Sequence, residues 1–149
     1  MFGHICIVAR DIDRLSAFYQ RVFGWAELAE RRELAGDNVS RGNGVPNSEL
    51  SAARLGTSVL ETQFLEIFQY KTQEDRPAPL VNQTGYSHIS VTVDDIYATL
   101  RAVLDAGGTR QGDVTNMGSD TAPALCVYVR DIEGNVIELE QGADLTQGS

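Results

Sequence analysis

Gly3-His4-Ile5-Cys6-Ile7-Val8 runs into Asp11-Ile12 and closes near Gly24, and Ser87-His88-Ile89-Ser90-Val91-Thr92 runs into Asp95-Ile96 and closes near Gly108. At a constant offset of 88 − 4 = 84, five identities fall in register: His4/His88, Ile5/Ile89, Asp11/Asp95, Ile12/Ile96 and Gly24/Gly108. Self-similarity at a fixed period marks a duplicated structural unit. The chain has only two histidines, and the duplication holds both in register, which suggests that they do one job together.

Each copy reads as a strand followed by a helix. In the segment 2–9, alternation puts Ile5 and Ile7 on one face and His4, Cys6 and Val8 on the other. Asp11 or Asp13 can cap a helix whose apolar residues Leu15, Phe18, Tyr19, Val22 and Phe23 recur at helical spacing, with Gly24 as its stop. In the second copy Ile89, Val91 and Val93 oppose His88, Ser90 and Thr92. Asp94 or Asp95 then caps a helix carrying Ile96, Leu100, Val103 and Leu104, closed by Gly107-Gly108.

Shorter strand signals follow at 26–32, 51–55 and 64–70 in the first half, and at 108–111, 125–130 and 136–140 in the second. The Gly/Asn/Ser-rich stretch 35–50, with Pro46, reads as a mobile loop. The plan predicts modules of about 1–71 and 84–141 within one domain of 1–149, joined by a linker at 72–83 and ending in a frayed tail at 142–149. Antiparallel strand runs with helices set to one side describe an α+β fold.

Phe64-Leu65-Glu66-Ile67 and Val136-Ile137-Glu138-Leu139 also match, at an offset of 138 − 66 = 72. The 35–50 loop absorbs the twelve residues of difference. The apolar neighbours of each Glu point to a helix-covered core, so each Glu shares the face of the histidines. Two His and two Glu on the concave face of one sheet would form a mixed N/O site for Zn²⁺, Ni²⁺, Co²⁺, Mn²⁺ or Fe²⁺. A lone His or Glu at a strand end is usually a surface or hydrogen-bonded residue; the paired placement is what points to a metal, since an inward carboxylate needs a compensating charge. Alternation does not separate Glu138 from Glu140, which share a strand face.

The formal charge of −9 disfavours nucleic acid and anionic membranes as partners, because both require a basic footprint. No apolar run is long enough to span a bilayer. The first apolar run is too short for a secretory signal, and Cys6 and Cys126 read as buried thiols of a reducing compartment, so a cytoplasmic protein is expected.

GHICIVARDIDRLSAFYQRVFGW, FLEIFQY, GYSHISVTVDDIYATLRAVLDAGG and VYVRDIEGNVIELE together resemble the vicinal oxygen chelate superfamily, which includes glyoxalase I, methylmalonyl-CoA epimerase, extradiol dioxygenases and the fosfomycin and bleomycin resistance proteins. The most specific single motif is 130–138, which looks like the family's last hairpin. The resemblance implies two tandem βαβββ modules forming a curved mixed sheet around a metal pocket. It maps His4, Glu66, His88 and Glu138 onto the metal-binding positions, selecting Glu138 over Glu140. It also implies a homodimer and a small substrate that chelates the ion through two adjacent oxygens.

A Lewis-acidic ion would stabilise an enediolate or enolate while a carboxylate shuttles the proton. In glyoxalase-like members a metal-coordinating Glu does so, and the resemblance therefore implies Glu138, with Glu66 as its counterpart, as the acid/base candidate. An extradiol dioxygenase fits less well, because both histidines are committed to metal and none is left near the substrate. The alternative from another class is a metal-free or non-catalytic binding protein for an antibiotic-type ligand. Neither a glutathione nor a CoA signature stands out. Arg14, Arg54 and Arg110 are weak candidates for a substrate anion, and Tyr19, Trp25, Phe68 and Tyr70 either line the pocket or pack, with packing expected for Trp25.

Overall fold

The computed structural model describes residues 3–58 and 63–142. The chain divides into two compact units, Met1–Arg76 and Pro77–Ser149. The expected tail falls almost wholly outside the described residues.

The first unit runs β1 (His4–Val8), α1 (Ile12–Phe23), β2 (Ala26–Glu27), β3 (Arg32–Ala35), α2 (Asp37–Asn43), β4 (Glu49–Gly56) and β5 (Phe64–Tyr70). Its sheet has the order β1-β5-β4-β2, with β3 also on β4. The strands β2 and β3 pair with opposite ends of β4, at Ala26↔Gly56 and Arg32↔Ala52, so together they act as one interrupted strand. β1 and β5 are parallel; β5 and β4 are antiparallel.

The second unit repeats this with β6 (Ile89–Thr92), α3 (Ile96–Asp105), β7 (Thr109–Arg110), β8 (Thr115–Asn116), β9 (Ala124–Arg130) and β10 (Val136–Gly142). Its order is β6-β10-β9-β7, with β8 on β9. The α+β fold of two βαβββ modules is therefore present. The strands form two five-stranded sheets, one per module.

The helices form where the capping chemistry places them. Asp11 caps α1 by accepting from the amides of Asp13 and Arg14, and Asp95 caps α3 by accepting from those of Tyr97 and Ala98. A second device repeats alongside. The Gln69 amide oxygen accepts from the Ile12 N–H at 2.8 Å, and that of Gln141 accepts from the Ile96 N–H at 2.7 Å. The last strand of each module thus satisfies a helix-end donor that has no partner within the helix. Gly24 ends α1 in the left-handed region at φ 67°.

Under α1, Leu15, Phe18 and Tyr19 pack with Ala53, Leu55, Leu65 and Ile67 in a dry layer; under α3, Ile96, Leu100 and Val103 join Val127, Val129, Ile137 and Leu139. The alternation of the strands leaves the opposite face of each sheet for polar side chains.

Two expectations are corrected. The stretch 35–50 contains the helix α2, not only loop, ended by Gly44 at φ 75°. It buries no residue, so no apolar period could reveal it. Cys6 is exposed and Cys126 half-buried, and both thiols are free. They alternate onto the open face of their sheets and do not join the core.

Candidate metal and substrate site

On the open face of the first sheet, register brings β1, β5 and β4 together. Cys6 and Arg54 lie opposite Glu66 from either side, and His4 lies opposite Phe64. The His4 imidazole stacks on the Phe64 ring at 5.0 Å and sets its Nε2 3.2 Å from Glu66 Oε2. Glu66 is only 4% exposed. Its other oxygen, Oε1, accepts from Arg54 Nε at 3.2 Å and from Arg32 Nη2 at 3.4 Å.

The second sheet repeats the pair with different company. His88 immediately precedes β6, and its Nε2 lies 3.1 Å from Glu138 Oε2. Its Nδ1 is 3.2 Å from the Ser87 hydroxyl, which donates to the Val81 carbonyl. That contact holds the ring so that Nε2 faces the carboxylate. Register sets Tyr128 opposite Glu138 on β9 and Ser90 opposite it on β6. The Tyr128 phenol is pushed up by burial, by the charge of Glu138 and by its hydrogen bond to that carboxylate, so it stays protonated as a donor.

The turn between β9 and β10 fixes this register. Buried Asp131 accepts from the Glu133 and Asn135 amides and from Asn135 Nδ2. Glu140 lies on the same face as Glu138 but opposite Cys126 and Thr92, away from the imidazole.

The first face also changes the chemistry of its cysteine. Although Cys6 is exposed as a residue, desolvation of its thiol and then the charge of Glu66 push it up to about 11, against a smaller opposing effect of a backbone hydrogen bond at Phe68. A thiol so raised is neutral near pH 7 and is a poor metal ligand there.

The donor chemistry fits a divalent cation. Two ligand atoms held about 2.1 Å from one ion are about 3.0 Å apart at a right angle and roughly 3.4 Å apart at a tetrahedral angle. The His–Glu separations of 3.2 and 3.1 Å fall in that span. The same spacing suits an imidazole–carboxylate hydrogen bond when no ion intervenes. Each pair offers two donors, and among the described residues no group of three or more His, Cys, Asp or Glu gathers as a metal cluster.

Of the sequence candidates, His4 meets Glu66 and His88 meets Glu138. Arg54 joins the first pair. Arg14 is exposed on α1, which covers the other face of that sheet. Arg110 pairs with Asp113 at 2.6 Å on the surface. Phe68 and Tyr70 share the Glu66 face by alternation along β5, whereas Tyr19 is buried and stacks on Trp25 at 5.7 Å.

Arg32 and Tyr128 are additions. Arg32 sits in a strand too short to show a period. Tyr128 could have been found by pairing Glu138 backwards across the hairpin turn.

A family model described as the Glyoxalase/Bleomycin resistance protein/Dioxygenase superfamily matches residues 1–139. A lactoylglutathione lyase of Haemophilus influenzae is 29% identical over 147 residues, covering 97% of this chain and 95% of its own length. A glyoxalase family protein from Bacillus cereus superposes with a TM-score of 0.83 at 20% identity, covering 96% of this chain and 94% of that one. Glyoxalase I from Zea mays superposes with a TM-score of 0.68 at 20% identity, and the match covers 95% of this chain but 44% of the maize chain.

Proposed function

Because the chain belongs to the glyoxalase/bleomycin resistance protein/dioxygenase superfamily and sets one His–Glu pair in each module, we propose that it is a divalent-metal-dependent, glyoxalase-like lyase or isomerase. It moves a proton next to a carbonyl of a small substrate. The repeated pair is the observation that carries this reading: both copies keep an imidazole nitrogen and a carboxylate oxygen at cis-ligand spacing. On this reading His4 and Glu66 of one module and His88 and Glu138 of the other are metal ligands. Bound there, a divalent cation supplies Lewis-acid polarisation of the substrate's carbonyl oxygen.

The two carboxylates have unequal surroundings, which supports unequal roles. Glu66 is held by two guanidinium groups and an imidazole, which supports a ligand role for it. Glu138 has the His88 ring and the Tyr128 phenol beside it, with no guanidinium in ion-pair reach among the described residues. Glu138 takes the proton from the substrate carbon and returns it on the neighbouring carbon, with Glu66 as its counterpart. The similarity to the Haemophilus lactoylglutathione lyase supports the lyase class; fold alone does not fix the substrate.

The reading includes a homodimer, from the family resemblance, and a cytoplasmic location, which suits two free thiols. No described helix is long and apolar enough to cross a membrane.

The test is metal analysis of the purified protein followed by incubation with small 2-oxo compounds in heavy water. Deuterium wash-in next to the carbonyl, abolished in Glu138→Gln with metal retained, supports the assignment. Full exchange in that variant removes Glu138 from the role. Protein that neither carries nor takes up a divalent metal supports the sequestering, non-catalytic alternative.

A further inference from the structure

We infer that Arg32 and Arg54 form an anion clamp beside Glu66, so that the substrate is an acid carrying a carboxylate next to its carbonyl, of the 2-oxo acid class. This rests on the proton-transfer reading of the same site and adds the substrate class to it.

The charge count carries the argument. Two guanidinium groups converge on one carboxylate oxygen, and neither has another acidic partner among the described residues. Counting His4 as neutral, the cluster holds +2 − 1 = +1, on a chain whose formal charge is −9. A divalent cation on Glu66 would raise that local excess further, and an anionic substrate would offset it.

The guanidinium groups are also placed and accessible. Arg32 and Arg54 are 48% and 38% exposed, against 6% for the Glu66 side chain they flank. The Arg54 guanidinium lies 4.9 Å from the centre of the Phe64 ring, the same ring on which His4 stacks, so its plane is held next to a ligand imidazole. Arg54 uses only Nε, and Arg32 only Nη2, on Glu66. The remaining N–H groups of both forks have no other acceptor among the described residues, and that fork geometry matches a carboxylate.

The second module holds its matching carboxylate without arginines, though Glu138 is the more exposed of the two, at 16% against 6%. By register Tyr128 stands opposite Glu138 where Arg54 stands opposite Glu66, and Thr115 faces Cys126 where Arg32 faces Ala52. Glu138 sits there with a phenol and an imidazole instead. The arginines are thus a property of one module and not of the repeat.

The test compares 2-oxobutyrate with its uncharged amide, 2-oxobutanamide, by isothermal titration into the purified protein, while deuterium exchange of both compounds is followed in parallel. A charge-assisted, forked contact predicts that the acid binds roughly ten- to hundredfold more tightly than the amide. Arg32→Gln and Arg54→Gln should each erase most of that preference, and Arg110→Gln should keep it. Arg54→Lys retains charge without the fork and should fall between; it and the wild-type comparison decide the matter if Arg54→Gln does not fold.

Equal affinity for the two compounds, binding of neither, or a preference that survives both Gln variants overturns the clamp. Exchange without preference for the acid overturns the clamp and leaves the reaction standing. Preference for the acid without exchange overturns the reaction and leaves the clamp.

Discussion

Glutamine at position 66 keeps the volume of the glutamate and one acceptor oxygen but removes its charge, and the structure sets what that costs. The Glu66 side chain is 6% exposed, yet its partners His4, Arg32 and Arg54 are 43%, 48% and 38% exposed. The charges left behind can therefore still be hydrated. Screened ion pairs of this kind are worth about 0–1 kcal/mol each, and neutralising a buried carboxylate relieves its desolvation.

These opposing effects leave a net loss of about 1 kcal/mol, or a Tm lower by about 2–4 °C for a chain of this size. Metal-linked stability is a separate quantity. A ligand at about a hundredfold excess over its Kd stabilises the folded state by about 2.7 kcal/mol, which corresponds to a rise of roughly 5–11 °C.

The assay is thermal melting, followed by circular dichroism, of chelator-treated protein with and without Mn²⁺ or Zn²⁺. Wild type should show the metal-dependent rise. Glu66→Gln should lose it while its metal-free Tm stays within a few degrees of wild type. A metal-dependent rise that persists in Glu66→Gln would refute the ligand role. A metal-free Tm lower by about 10 °C or more, the signature of a broken buried ion pair worth about 3–5 kcal/mol, would make Glu66 a structural hub instead.

Three further outcomes are expected. Gln69→Ala and Gln141→Ala each remove the acceptor for a helix-end N–H; each should cost about 1–2 kcal/mol in urea unfolding, and the double variant should cost the sum because the two helices are separate. Glu138→Gln should lower the proton-exchange rate by roughly 10²- to 10⁴-fold when assayed at saturating metal, measured by NMR in heavy water. In a Cys126→Ser background, alkylation of Cys6 should rise with pH to a half-maximum near pH 11. Removing the Glu66 charge that helps raise that value should shift the half-maximum downwards, and a wild-type half-maximum near the ordinary thiol value of about 8.5 would contradict the environment described for Cys6.

The repeat was legible because its signals are local. Asp11 and Asp95 cap the helices, apolar residues return at helical spacing, and each Glu lies between apolar neighbours on its strand. The second offset, read only for the Glu residues, also joins Gln69 to Gln141, at 141 − 69 = 72. That extension would have revealed the shared helix-end contact from sequence alone.

What sequence could not supply was register across β3, β4 and β5. Arg32 and Arg54 are separated by 21 residues that include a helix with no buried face. Nothing along the chain announces that both meet Glu66. The helix α2 was hidden for the same reason, since a segment that buries nothing leaves no period to read. The cysteines were misplaced because each sits in an apolar run, although alternation already sets Cys6 on the face of His4.

The most direct test of the central claim is metal stoichiometry in wild type, His4→Ala and His88→Ala, by elemental analysis after dialysis against a chosen divalent metal. If the pair from each module serves a common ion, wild type should hold about one cation per chain, and either single substitution should lose nearly all of it. Retention of half the metal in each variant would mean that the pairs act independently, and no metal in wild type would mean that they are imidazole–carboxylate hydrogen bonds; either result contradicts a shared metal centre.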